Sequence, residues 1–131
     1  GTGGSFAGCA QAFKAHDPAI RCYVVEPAGA AALAGEPVTY PNHRIQGGGY
    51  SLEHLPLLDR AQVDGYLQVT DVQAMHMARR LAREEGLFAG FSAGANVAAA
   101  VRLLETECAG KTVAVLLCDS GLKYFSTDLW E

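Results

Sequence analysis

Three short runs of β-branched and aromatic residues alternate with segments of helical periodicity, and this alternation constrains the fold more than any other feature of the chain. The runs are IRCYVVEP at 20–27, DGYLQVT at 64–70 and TVAVLLC at 112–118. Strands that alternate with helices are typical of α/β proteins with parallel sheets. We therefore predict a three-layer α/β sandwich with a mostly parallel sheet. The run at 112–118 is nearly all apolar, which predicts a strand buried on both faces.

Helical segments are predicted between these strands, each with a start signal in the sequence. Ser5 is the expected N-cap of a helix over 5–14, and Ser92 is the expected N-cap of a helix that ends at Gly110. Thr70 and Gln73 fit a capping box, so a long helix should run from there to about Gly86. Short helical pieces are also expected at 28–35 and within 51–61. The apolar stripe of the last helix is predicted to comprise Val97, Val101, Leu104 and Cys108.

Composition limits the possible partners of this chain. With 131 residues, half of them hydrophobic, residues 1–131 should form one domain with a core of its own. The net charge of -4 argues against a nucleic-acid partner, and the one basic cluster, Arg79, Arg80 and Arg83, is expected to be a solvated helix face balanced by Glu84 and Glu85. No apolar run reaches the length of a membrane span, so no membrane partner is expected.

The four cysteines show no spacing typical of a zinc site or of a redox motif. They are Cys9, Cys22, Cys108 and Cys118, and no C-x-x-C pair occurs. Cysteines in apolar runs or on apolar helix faces behave as small hydrophobic residues. We expect four reduced thiols in the core of a cytoplasmic protein, and no metal.

The glycine-rich start, GTGGS, has a backbone suited to a phosphate group. Several glycines allow successive amides to converge on one point, and the helix that follows adds free amides and a partial positive charge. Thr2 and Ser5 add hydroxyl donors. The pattern is neither a dinucleotide fingerprint, because Phe6 stands where a glycine is needed, nor a P-loop. A simple glycine turn before a helix remains the alternative.

Two further segments fall where ligands of open α/β sheets bind. Ser92 lies where an apolar run gives way to a helix, so its side chain can face the crevice at the sheet edge as well as cap the helix. Asp119 and Ser120 follow the third predicted strand at the same edge. For these two residues, a structural turn and a role in a site are about equally well supported.

Taken together, these segments resemble the cysteine synthase and cystathionine β-synthase group of fold type II pyridoxal-phosphate enzymes. The likeness rests on GTGGSFAG, YVVEP, HRIQGGGY with VDGYLQVTD, and ARRLAREEGLFAGFSAGANVAAA running on to LLCDSGLKYFSTDLW. It covers essentially the whole chain and corresponds to the latter part of a family member. The resemblance implies the tryptophan synthase β-like fold and a cofactor, pyridoxal 5'-phosphate.

The resemblance also implies roles for individual residues. The loop of Gly1, Thr2, Gly3, Gly4 and Ser5 would bind the cofactor phosphate, and Ser92 would hydrogen-bond the pyridine nitrogen. Asp119 and Ser120 would lie near the cofactor ring, and Gln46 and Gly47 would line the substrate side. Tyr50, Ala93, Asn96 and the pair Leu122-Lys123 depart from the usual family motifs, which leaves the substrate open.

The implied activity is β-replacement, in which an activated serine and sulfide or another nucleophile give cysteine or an analogue. A neutral hydroxyl at the pyridine nitrogen suits α,β-elimination, because the leaving group takes the electrons. The resemblance implies an amino-acid substrate, amino-acid biosynthesis by a transferase or lyase, and a homodimer. Two alternatives stay open: a deaminating β-elimination enzyme of the serine or threonine dehydratase type, and a non-catalytic module that binds a phosphate ligand or a partner protein.

One residue that the family requires has no counterpart here. The Schiff-base lysine of the family precedes the glycine loop, and neither Lys14 nor Lys111 matches its motif, while Lys123 replaces an acidic residue of the closing motif. The family's asparagine loop for the substrate carboxylate is also absent. We therefore expect the chain to be the C-terminal portion of a longer enzyme, inactive without its N-terminal part. The lack of an initial methionine agrees with that expectation.

Overall fold

Two parallel strands and three helices form the framework of the chain in a computed structural model that describes residues 1–131. The strands are β1 (Tyr23–Pro27) and β2 (Gly65–Val69), and the helices are α1 (Gly4–His16), α2 (Asp71–Arg80) and α3 (Phe91–Glu105). A π-helical turn, Leu81–Glu85, extends α2, and three 3-10 turns occur at Arg60–Gln62, Gly121–Tyr124 and Asp128–Trp130. The predicted α/β class with parallel strands is confirmed.

The two strands pair in parallel and in register, so that their carboxyl ends lie at one edge of the sheet. Tyr23 lies opposite Gly65, and Pro27 lies opposite Val69. The amide of Ala28 then donates to the carbonyl of Val69 at 2.8 Å, which carries the pairing one residue past the strand. Loops that leave this edge can meet there, as in other open α/β sheets.

The start of α2 agrees with the sequence prediction. The Thr70 side chain accepts a hydrogen bond from the Gln73 amide at 3.2 Å, and the Gln73 side chain accepts one from the Thr70 amide at 2.9 Å. This reciprocal capping box satisfies two amides that a helix start would leave free. The helical path continues through the π-helical turn to Gly86, which confirms the predicted end.

The buried side of α3 differs from the predicted apolar stripe. Its buried residues are small or lie on another face: Phe91, Ala93, Gly94, Ala95, Ala99, Ala100 and Leu103. Of the predicted stripe, Val97 and Val101 are half-buried, Cys108 is buried beyond the helix, and Leu104 is 39% exposed. The small residues bring α2 close to α3, and this close approach decides which face is buried.

The third predicted strand, 112–118, does not form. The segment has neither helical nor strand structure, and most of it is exposed, with Leu116 at 64%. One of its few contacts is a hydrogen bond from the Asn96 side chain to the carbonyl of Leu116 at 2.9 Å. A buried parallel strand needs a neighbour to pair with, and the sheet consists of β1 and β2, which pair only with each other. The described sheet therefore has two strands.

Two local helix predictions are wrong for physical reasons that the structure shows. Residues 28–35 form turns, because the buried carboxyl group of Glu26 accepts the amides of Leu33 and Ala34 at 2.9 and 3.0 Å. Ser5 does not cap α1: the N-cap is Gly3, and Ser5 lies within the first turn. Within 51–61, a 3-10 turn begins at Arg60.

The cysteines are unpaired, but they are not all in the core. Cys108 is buried and Cys22 is half-buried, whereas Cys9 and Cys118 are exposed. Cys9 lies on α1, where only Ala10 is buried, and Cys118 ends the unpaired segment 112–118. The prediction of four core thiols is therefore wrong for these two. No helix combines the length and the apolar character that crossing a membrane requires.

Candidate functional site

The glycine loop ends in a backbone conformation that suits glycine, at the residue where α1 begins. Gly3 has a φ of 82°, and a Cβ atom on it would lie 2.9 Å from the backbone nitrogen of Leu58. The Gly4 amide donates to the Thr2 hydroxyl at 3.3 Å, whereas the amides of Ser5 and Phe6 have no acceptor within the chain. The loop thus presents free amides at a helix N-terminus, which is favourable for an anion.

The segment 43–50 is fixed beside this loop by His43. The His43 Nε2 atom lies 2.8 Å from the carbonyl oxygen of Gly49, so this nitrogen must carry the proton that it donates. Gly49 packs against the Pro27 ring, where a Cβ atom would overlap, and the Tyr50 ring lies next to Gly1. The segment therefore runs from the carboxyl end of β1 to the glycine loop.

The same segment is also anchored toward α2 and α3. The Arg44 amide donates to the Asp71 carboxylate at 2.9 Å, and the Arg44 guanidinium pairs with Asp128 in the last 3-10 turn. Ile45 belongs to the buried cluster of Val69, Ala74, Ala95 and Ala99. Gln46 and Gly47, which follow, are exposed. These two predicted residues thus lie on a loop whose flanks contact both the glycine loop and the core beneath α3.

Ser92 is the second residue of α3, and its predicted capping role is wrong. The N-cap is Gly90, without a side-chain cap, and the Ser92 hydroxyl makes no hydrogen bond within the chain. The first helical bond runs from the Gly94 amide to the Gly90 carbonyl at 3.1 Å. The Ser92 hydroxyl is half-buried and free to bond a ligand.

Asp119 lies beside the start of α3 and is held by Tyr124. The Tyr124 hydroxyl donates to Asp119 Oδ2 at 2.5 Å. Burial, together with this hydrogen bond, raises the pKa of Tyr124 to about 12. The other oxygen, Asp119 Oδ1, is buried without a partner and lies so close to Gly90 that a Cβ atom there would overlap it. An unpaired buried carboxylate oxygen is unusual and marks a place where a donor could bind.

Ser120 acts in the structure as a turn residue. Its hydroxyl accepts the Leu122 amide at 3.2 Å and so caps the 3-10 turn Gly121–Tyr124. Its backbone pairs with Ala89 in an isolated bridge, and the Gly121 amide donates to the Phe88 carbonyl at 3.1 Å. The predicted structural turn therefore accounts for Ser120. The same contacts bring Asp119 to the start of α3.

The predicted residues form two groups, and the segment 43–50 contacts the first group at Gly1 and packs through Ile45 against Ala95 and Ala99 of α3. One group is the glycine loop, and the other is Ser92 with Asp119 and Ser120. No hydrogen bond joins Ser92 to residues 1–5. Sequence reasoning missed His43 and Tyr124, although both lie inside the quoted motifs HRIQGGGY and DSGLKYFSTDLW.

The three lysines lie in different surroundings. Lys14 donates to Asp64 at 2.6 Å and to the Ile20 carbonyl at 3.2 Å, next to the amino ends of the strands and thus away from the glycine loop. Lys123 lies 3.8 Å from Asp119 with a largely exposed side chain, and Lys111 is exposed.

One well-defined cavity does not involve any predicted site residue. Its volume is about 410 Å³, and it is lined by Ala32, Gly35, Glu36, Pro37, Glu53, His54 and Arg60. No three His, Cys, Asp or Glu side chains come together as a set of metal ligands.

Comparison with known proteins relates the chain to one enzyme family. The family profile described as pyridoxal-phosphate dependent enzyme matches residues 1–119. The chain is 39% identical over its whole length to O-ureido-L-serine synthase of Streptomyces lavendulae, covering 40% of that protein. It is 36% identical over its whole length to a cysteine synthase of Staphylococcus aureus, covering 41% of it.

A solved structure agrees with these sequence matches. Cysteine synthase from Entamoeba histolytica superposes with a TM-score of 0.92 at 31% identity, over 99% of this chain and 38% of that one. The chain thus spans about two fifths of the length of the relatives that it matches, and this part has their fold.

Proposed function

The chain belongs to the family of pyridoxal-phosphate-dependent enzymes, and on this premise we propose that it forms the phosphate-binding side of a β-replacement site. The observation that supports the site most is the segment 43–50, which contacts the glycine loop through Tyr50, the carboxyl end of β1 through Gly49, and α3 through Ile45. The reaction type is supported by the synthases that match the whole chain. The proposed reaction is that of a cysteine synthase-like enzyme.

The cofactor phosphate would be held by the loop of Gly1, Thr2, Gly3, Gly4 and Ser5. The free amides of Ser5 and Phe6 fit a dianionic phosphate, because each can donate a hydrogen bond that the helix leaves unused. The packing of Gly3 against Leu58 fixes where the loop lies. The loop therefore suits a phosphate group both in its geometry and in its charge.

The cofactor ring would lie against Ser92 and Asp119, with Ser120 behind them as the turn that carries Asp119. When bound, pyridoxal phosphate supplies an electron sink for bond breaking at amino-acid carbons. The Ser92 hydroxyl would hydrogen-bond the ring nitrogen without adding a negative charge, so this contact does not by itself favour a protonated nitrogen. Asp119 Oδ1 fits a donor from the ligand, because it has no partner within the chain.

The substrate side would be lined by Gln46 and Gly47. Both are exposed on the segment that His43 and Ile45 hold in place. A side-chain amide and a backbone amide can donate to the carboxylate of an amino acid. We propose an activated serine as substrate, and a cytoplasmic homodimer as the form in which the parent enzyme acts.

We further propose that none of the three lysines forms the Schiff base. The Lys14 ammonium is already paired at the far end of the strands. The test is incubation of the 131-residue chain with pyridoxal phosphate, followed by borohydride reduction and mass spectrometry. We expect no stoichiometric phosphopyridoxyl group at any one lysine. A single lysine that is fully labelled would contradict this proposal.

Binding of the phosphate is tested with pyridoxine 5'-phosphate, which lacks the reactive aldehyde, and with inorganic phosphate. Gly3→Ala should weaken binding of both probes about tenfold or more, because the alanine is strained at this φ and meets Leu58. Gly8→Ala, within the helix that Gly3 precedes, is the matched control, since a Cβ atom there meets nothing within 4 Å. Equal binding by Gly3→Ala and the wild-type chain would overturn the phosphate site.

The reaction itself is tested in a chimera, in which this chain replaces the corresponding 41% of the Staphylococcus aureus relative. The purified chimera is supplied with O-acetylserine, O-phosphoserine or serine, with and without sulfide. Cysteine formed only when sulfide is present supports β-replacement. Pyruvate and ammonia formed regardless of sulfide would favour the dehydratase-like alternative. A folded, cofactor-loaded chimera without either product would overturn the proposed reaction.

A further inference from the structure

The ring of Tyr124 fills the space beside the first turn of α3. It is 4% exposed and packs edge-on against Phe91, with ring centroids 5.2 Å apart and an interplanar angle of 87°. It also occupies the volume that a side chain at Gly90 would need. Because Gly90 and Phe91 directly precede Ser92, the Tyr124 ring defines where this part of α3 lies.

The hydroxyl of Tyr124 fixes the second element of the candidate site. It donates to Asp119 Oδ2, which leaves Oδ1 as the buried, unpaired oxygen. With a pKa of about 12, the hydroxyl keeps its proton throughout the neutral range and stays a donor. Lys123, 3.8 Å from the same carboxylate oxygen, is largely exposed and therefore a weaker constraint.

Tyr124 is itself held by the last residues of the chain. The Thr127 hydroxyl donates to the Tyr124 carbonyl at 2.7 Å. The fully buried Leu129 shares a cluster with Tyr124, Phe91 and Ala78. The ring therefore has one well-defined position, between α3 and the turn that carries Asp119.

We propose that Tyr124 is a positioning residue, which orients Ser92 and Asp119 relative to one another toward the ring of the cofactor. This inference rests on the proposed function, and it assigns a role to a residue beyond the range 1–119 that the family profile matches. Tyr124 does not touch the ligand in this scheme. It acts through its ring on Phe91 and through its hydroxyl on Asp119.

The positioning role is tested without any ligand by amide hydrogen exchange. Tyr124→Phe keeps the ring but removes the hydroxyl, so the Asp119 turn loses its fixed partner. We expect the Gly94 and Ala95 amides in the first turns of α3 to exchange about tenfold faster, while amides in the middle of α2 keep their rates. Tyr66→Phe is the control, because the Tyr66 hydroxyl makes no hydrogen bond within the chain and lies on β2.

Two probes separate positioning of the ring site from general destabilisation. Tyr124→Phe should weaken binding of pyridoxine 5'-phosphate about tenfold and leave binding of inorganic phosphate unchanged. A merely structural role would weaken both probes or neither. Asp119→Asn should also weaken binding of pyridoxine 5'-phosphate selectively. The variant that carries both changes should bind this probe no more weakly than the weaker of the two single variants, because both changes break the Tyr124–Asp119 hydrogen bond.

The outcomes distinguish this proposal from the proposed function. If the wild-type chain binds both probes and Tyr124→Phe changes neither exchange nor the affinity ratio, the Tyr124 proposal alone is overturned. If the wild-type chain binds neither probe, the proposed function is overturned, and the role of Tyr124 toward a cofactor ring is overturned with it. If Tyr124→Phe does not fold, Asp119→Asn decides by the exchange rates of the Gly94 and Ala95 amides measured without ligand, because Asp119→Asn breaks the same Tyr124–Asp119 hydrogen bond; unchanged rates would overturn the proposal.

Discussion

Gly94 of α3 lies directly against the carbonyl oxygen of Ala74 in α2. A Cβ atom at position 94 would overlap that oxygen and would lie 2.9 Å from the backbone nitrogen of Ala78. Ala74 and Ala78 are fully buried at this crossing. The two helices therefore approach as closely as their backbones allow, and this contact places the first turn of α3 over the core.

We expect Gly94→Ala to destabilise the chain. Alanine is the better helix former by roughly 1 kcal/mol, but overpacking against a backbone costs about 3 kcal/mol, so the clash prevails. The measurement is urea denaturation followed by circular dichroism. In α1, Gly8→Ala adds the same methyl group in open space and should be neutral or stabilising. A Gly94→Ala variant as stable as Gly8→Ala would contradict the close crossing.

Glu26 should make the chain relatively more stable at acid pH. Burial raises its pKa, although the amides of Leu33 and Ala34 oppose this shift. A raised pKa in the folded state means that the contribution of Glu26 is complete below its unfolded pKa of about 4.3 and is lost as the pH rises through the folded value. The unfolding free energy of wild type minus that of Glu26→Gln should therefore fall as the pH rises from 4.

Asp64 is the control for that experiment, because its pKa is shifted in the opposite direction to that of Glu26. The hydrogen bond from Lys14, followed by that from the Cys22 amide, lowers the pKa of Asp64. Its contribution is present above an unfolded pKa of about 3.9 and is lost as the pH falls through the folded value. The difference between wild type and Asp64→Asn should therefore grow as the pH rises from 3 to 5. If both differences in unfolding free energy changed with pH in the same direction, the two pKa shifts would be contradicted.

His43 should decide how firmly the loop of Gln46 and Gly47 is held. Its hydrogen bond to the Gly49 carbonyl closes this loop against β1. Without it, in His43→Ala, we expect the Gly47–Gly49 amides to exchange faster and proteases to cut the loop more readily. His43→Gln keeps a nitrogen donor of similar reach and should restore part of the protection. Equal exchange in wild type and His43→Ala would show that the packing of Gly49 on Pro27 suffices.

Local signals in the sequence were enough to locate α2, the strands β1 and β2, and the glycine loop. The capping box of Thr70 and Gln73 involves residues three positions apart, and β1 and β2 are each marked by a run of β-branched and aromatic residues. The family motifs also located the glycine loop and the Asp119 turn, because each is a short stretch with its own backbone requirements.

The tertiary structure alone decided which elements pair and how closely they approach. The run at 112–118 has the composition of a buried strand, but composition does not supply a neighbour with free amides and carbonyls, so it stays unpaired. The sequence predicted Ser92 as the N-cap of α3, but the helix begins at Phe91 and its N-cap is Gly90, two residues earlier. The contact of Tyr124 with Phe91 and the fit of Gly94 on Ala74 join distant parts of the chain. Such contacts depend on distances in space, which spacing along the sequence does not determine.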